Sequence, residues 1–62
     1  MPLVTIKILE GRTVEQKRGL AKDVTEAIVK NIECPPAAVN IEIVDLKTEN
    51  VAQGGKLFVD GR

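Results

Sequence analysis

Leu3-Val4-Thr5-Ile6-Lys7-Ile8-Leu9 is the stretch that decides the fold. It is rich in β-branched residues, and Val4, Ile6 and Ile8 alternate with Thr5 and Lys7. Its β-branched content and this alternation predict a strand, mostly buried. Glu10-Gly11-Arg12 follows as a turn, with Gly11 the residue expected in an unusual backbone conformation. Thr13-Val14-Glu15-Gln16 then has the form of a capping box. The Thr13 hydroxyl can accept from the Gln16 backbone N–H while the Gln16 side chain reaches back to Thr13.

A helix is predicted from this cap to about Ile32. Its apolar positions Leu20, Val24, Ala27, Ile28 and Ile32 recur at helical spacing and form one stripe. Lys17, Arg18, Lys22, Asp23, Glu26 and Lys30 are expected to point elsewhere, with Lys17 and Arg18 on the outer face. Pro35 disfavours helical geometry at Cys34 and ends the helix. Residues 39–46 read as a second strand, in which Val39, Ile41 and Ile43 alternate with Asn40, Glu42 and Val44. Residues 47–53 read as a polar loop, Gly54-Gly55 as a turn, residues 56–59 as a short closing strand and residues 60–62 as a tail.

Strand, helix, strand in this order predicts an α+β chain built on a single β-α-β unit. It has two parallel strands, one helix and a short C-terminal strand. Two strands and a helix are not stable alone, and their free edges invite pairing. The expected remedy is dimerisation into a four-stranded sheet carrying two helices.

The chain has 62 residues, so residues 1–62 are read as one domain. A chain this short needs disulfides, a metal or partner subunits. Cys34 is the only cysteine and there is no His, which argues against an internal disulfide and a zinc site. Oligomerisation remains, and 44% hydrophobic residues supply the surface for it. Nine basic and nine acidic residues cancel, and Phe58 is the only aromatic, so a nucleic-acid partner is not expected. No apolar run approaches the roughly 20 residues that span a bilayer, and no signal-peptide pattern is read at the N-terminus. An unpaired cysteine fits a reducing compartment, so a cytoplasmic location is expected.

Few residues here can move protons near neutral pH. With no His or Tyr, a Ser-His-Asp triad lacks its parts. Cys34 has no evident activator. Pro2 is the unusual candidate. If Met1 is removed, Pro2 becomes a free secondary amine. An ordinary α-amino group titrates near about 8. Burial beside Leu3 and a nearby guanidinium such as Arg12 would lower the amine toward the working pH of a general base. Proline at position 2 is also commonly inert, and the residues alone leave both readings open. Arg12 is equally open between a solvated turn residue and a binding group, although a cation there opposes the helix dipole. Lys7 is read as a solvated strand lysine, with tuning of Pro2 as the alternative.

Residues 1–17, MPLVTIKILEGRTVEQK, resemble the opening of the 4-oxalocrotonate tautomerase family. The shared pattern is a proline after the initiator methionine, a strand, Leu9-Glu10-Gly11-Arg12-Thr13, and then Glu15-Gln16-Lys17. Val24-Thr25-Glu26-Ala27-Ile28, Pro35 and Gly54-Gly55 extend the resemblance over nearly the whole chain. It implies a β-α-β fold assembling as a hexamer of three dimers. It also implies a cofactor-independent tautomerase acting on a small unsaturated 2-oxo or 2-hydroxy acid. Pro2 matches the catalytic base, Arg12 the arginine that holds the substrate carboxylate, and Leu9 a position whose backbone meets substrate through water. Asn40 stands where the family places a second arginine from a neighbouring subunit, and Val51 where it places an aromatic wall residue. Losing a preorganised donor costs about 2.7–4 kcal/mol, so these departures bear on substrate choice more than on the use of Pro2. The alternatives are a related hydratase or dehalogenase, in which Pro2 would act as an acid, and a catalytically silent assembly protein.

Overall fold

A computed structural model describes residues 1–61. The last residue of the expected tail, Arg62, lies outside the described residues. The chain runs β1 (Leu3–Leu9), α1 (Val14–Ile32), β2 (Asn40–Leu46), β3 (Ala52–Gln53) and β4 (Lys56–Leu57). Short 3-10 turns occupy Pro36–Ala38, Thr48–Asn50 and Phe58–Asp60. β1 and β2 pair in parallel, from Leu3 opposite Asn40 to Leu9 opposite Leu46.

The alternation read in β1 is present, but the strand is not mostly buried, because within one chain only its helix side is covered. Val4, Ile6 and Ile8 are half-buried while Leu3, Thr5 and Lys7 are exposed. Ile8 lines a cleft with Leu20 of α1, and Asp45 of β2 bonds to Lys17 of α1, so the helix covers this side of the sheet.

α1 begins as its capping box predicts. The Gln16 N–H donates to Thr13 Oγ1 at 3.1 Å and the Thr13 N–H to Gln16 Oε1 at 2.9 Å. At the other end Glu33 turns left-handed, with φ 60°, and its N–H donates to the Val29 carbonyl at 3.0 Å. The helix therefore stops just before the Cys34-Pro35 bond.

The inward face of α1 differs from the expected stripe. Leu20, Val24 and Ile28 are half-buried, but Ala27 and Ile32 are exposed. Lys17, Ala21, Thr25 and Val29 are half-buried in addition. At about 100° per residue, this places the buried arc around Ala21 and Ile28 and rotates Ala27 outward. Ile32 is exposed for a different reason. The 19-residue helix is about 28 Å long against about 23 Å for a seven-residue strand, so its end turns overhang the sheet.

The C-terminal region also departs from expectation. Gly54 and Gly55 both take positive φ, 62° and 83°, the signature of a two-residue turn that matches the twist of a hairpin. Ala52 pairs with Leu57 and Gln53 with Lys56. Residues 47–53 are thus not all loop, and the closing strand is only Lys56–Leu57, because Phe58 already begins a 3-10 turn.

None of the described residues is fully buried. The radius of gyration is 14.7 Å, whereas a compact chain of this length would have about 10.6 Å. The accessible surface is 4831 Å², against about 3900 Å² for a compact monomer of 6.7 kDa. One chain has layers but no enclosed hydrophobic core.

Candidate active site

Pro2 sits at the head of β1, half-buried. Its carbonyl accepts the Asn40 backbone N–H at 3.0 Å, which ties the two strand heads together. Beside it is a cleft of about 440 Å³ lined by Leu3, Val4, Thr5, Asn40, Ile41 and Glu42. Asn40 lies opposite Leu3 in the ladder and is exposed. In one chain, then, the Asn40 backbone already adjoins Pro2. Met1 precedes Pro2 and is 83% exposed. While that peptide bond exists, the Pro2 nitrogen is an amide and has no basicity; its chemistry depends on a free Pro2 terminus.

Arg12 stands at the other end of the sheet. Leu9 lies opposite Leu46, and the Glu10 N–H donates to the Leu46 carbonyl at 2.9 Å, closing the strand pair. Gly11, with φ 114°, then turns the chain, as expected of it. Arg12 lines a cleft of about 300 Å³ with Ile8, Gln16, Lys17 and Leu20. Lys17 Nζ pairs with Asp45 Oδ2 at 2.6 Å, its side chain 27% exposed. Lys17 was expected on the outer face; it instead straps α1 to β2 and walls the Arg12 cleft. Its position three residues before Leu20 was the available signal. Arg12 has no ion pair among the described residues. Its planar fork is therefore available for two parallel hydrogen bonds to a carboxylate.

The two ends do not meet within a chain. Ile8, which lines the Arg12 cleft, is six residues from Pro2, about 20 Å along the strand. An arginine side chain cannot close that gap, so Arg12 is not beside the Pro2 of its own chain. Lys7 is also remote from Pro2, about 16 Å along β1, and is a solvated strand lysine. Leu9 belongs to the Arg12 end, at the close of β1. Val51 follows β2 by five residues and is half-buried, its carbonyl accepting the Phe58 N–H at 2.9 Å. Pro2 and Asn40 thus form one group at the strand heads, and Leu9 and Arg12 another at the strand ends. Elsewhere on α1, Lys22 is held above its usual ammonium range by the Glu26 side-chain hydrogen bond and charge.

Residues 2–61 match the family model described as tautomerase enzyme. A probable tautomerase of Bradyrhizobium diazoefficiens is 43% identical over 60 residues, covering 97% of this chain and 90% of that protein. The crystal structure of YwhB, a homologue of 4-oxalocrotonate tautomerase, superposes with a TM-score of 0.94 at 38% identity, over 98% of this chain and 100% of that one. A heterohexameric 4-oxalocrotonate tautomerase from Chloroflexus aurantiacus gives a TM-score of 0.92 at 32% identity, with both chains fully covered. A proline placed at a strand head, an unpaired arginine after the strand's end, and a family match over nearly every residue lead to one conclusion: the chain belongs to the tautomerase family, among the homologues of 4-oxalocrotonate tautomerase.

Proposed function

We propose that this protein is a cofactor-independent keto–enol tautomerase of small unsaturated 2-oxo acids, with Pro2 as its base once Met1 has been removed. The free secondary amine takes the enol hydroxyl proton and returns a proton to carbon, so the substrate isomerises with no net change in atoms. Arg12 holds the carboxylate and draws electron density toward it. Asn40, expected from a neighbouring copy, offers an uncharged donor to the substrate oxygen. Leu9 contributes backbone polarity through water, and Val51 an apolar wall.

The observation that carries this reading is the placement of Pro2 and Arg12 at opposite ends of β1, each beside its own cleft. A small acid cannot bridge about 20 Å. A working site therefore takes Pro2 from one copy and Arg12 from another. The lack of a buried core among the described residues supports such association, and a heterohexameric relative supports an oligomer. Residues 1–62 act as one tautomerase domain, in a cytoplasmic setting.

The test is ketonisation of 2-hydroxymuconate by protein whose N-terminus is confirmed as Pro2 by mass, beside Pro2→Ala. The wild type should turn over and the variant should lose most activity. A Pro2→Ala protein as fast as wild type would overturn the mechanism.

A further inference from the structure

Two cations line the cleft of about 300 Å³ at the end of β1. Arg12 has no ion pair among the described residues, whereas Lys17 has one. The strand register explains the difference. Asp45 of β2 lies opposite Ile8 of β1, and Ile8 is itself a cleft residue, so a carboxylate stands at the cleft margin. Lys17 Nζ meets Asp45 Oδ2 at 2.6 Å, with the Lys17 side chain only 27% exposed. Of the other acids near in sequence, Glu15 is paired with Arg18 and Glu10 does not line the cleft. Gln16 Oε1 is occupied as well, accepting the Thr13 N–H at 2.9 Å. Arg12 is therefore the one charged side chain lining the cleft that is left open.

We propose that Lys17 is a positioning residue for substrate binding: by holding and neutralising Asp45, it keeps Arg12 open for the substrate carboxylate. Asp45 is chemically the same group as the substrate end that Arg12 is suited to hold. A planar guanidinium takes a carboxylate within reach by two parallel hydrogen bonds, whether that carboxylate belongs to the substrate or to the protein. Without Lys17, the Asp45 charge would compete for Arg12 and repel the incoming acid. With Lys17, the pair is neutral and the cleft keeps one net positive charge, that of Arg12. The inference rests on the reading of Arg12 as the carboxylate clamp and adds the residue that keeps the clamp free.

The experiment measures two things on protein that begins at Pro2. One is the calorimetric Kd for muconate, the dienedioate that lacks the 2-hydroxyl; the other is kcat and KM for 2-hydroxymuconate. Lys17→Met leaves Asp45 uncompensated and should raise Kd and KM by roughly three- to tenfold at low salt, and by less at high salt. The change should fall on KM rather than on kcat. Lys17→Arg should bind like wild type. Lys17→Met combined with Asp45→Asn loses the strap but also the stray charge, and should recover the wild-type Kd and KM. Asp45→Asn alone frees Lys17 as a second cation and should bind muconate more tightly. If Lys17→Met does not fold, Asp45→Asn and the double variant decide. A Lys17→Met protein that binds like wild type would overturn the proposal. So would a double variant as weak as Lys17→Met, or an Asp45→Asn protein no tighter than wild type. Wild type that binds muconate without ketonising its hydroxy analogue would sink the tautomerase reading, while the Kd series still decides the role of Lys17. Wild type that binds no muconate overturns both.

Discussion

If Pro2 and Arg12 reach one substrate only from different copies, two dead chains should make a live enzyme. Pro2→Ala removes the base and Arg12→Ala removes the carboxylate clamp. Hydrogen bonds to charged groups contribute about 1.5–3 kcal/mol, so Arg12→Ala alone should lower kcat/KM by roughly 10- to 150-fold. Each kind of chain keeps the end that the other has lost. In an oligomer randomly assembled from equal amounts, a site is intact when its Pro2 comes from an Arg12→Ala chain and its Arg12 from a Pro2→Ala chain. Those two independent halves give roughly one intact site in four under a heterologous pairing. The assay is ketonisation of 2-hydroxymuconate after co-refolding differently tagged chains, with mixed oligomers verified by mass. Recovery of about a quarter of wild-type activity is expected. A mixed oligomer no more active than the sum of its parents would refute a site shared between chains.

Three further outcomes follow from local geometry. Thr13→Ala removes the acceptor for the Gln16 N–H and should cost about 1 kcal/mol of stability by denaturant unfolding at fixed protein concentration. Glu33→Gly relieves a left-handed non-glycine residue and should stabilise the protein by about 0.5–1 kcal/mol in the same assay. Gly54→Val places a branched side chain at φ 62° and should destabilise the hairpin by about 1–2 kcal/mol, read as earlier proteolysis near residue 54.

Much of the fold was legible because its signals are local. The β1 alternation, the Thr13–Gln16 cap and the Pro35 stop each depend on residues a few positions apart. The helix face was harder to read. Ala21 and Thr25 carry little hydrophobic signal, yet they turn inward, while the more apolar Ile32 overhangs the sheet. The Lys17–Asp45 strap joins residues 28 positions apart, and only the spacing of Lys17 from Leu20 hinted at its inward half. The strand Ala52–Gln53 lacks β-branched residues and exists because Gly54-Gly55 folds the chain back on it. Pro2 and Arg12 were recognisable as chemical groups and through the family resemblance. Their separation follows from the seven-residue strand between them, which the sequence alone predicts.

The central claim is that the free amine of Pro2 is the base. Its most direct test compares ketonisation by chains that retain Met1 with the same preparation after aminopeptidase treatment, the N-terminus followed by mass. Met1 is 83% exposed and open to the peptidase. Activity should rise in proportion to the fraction of chains beginning at Pro2, from near the buffer rate. Full activity in chains that all retain Met1 would contradict the account, because an amide nitrogen cannot accept the proton.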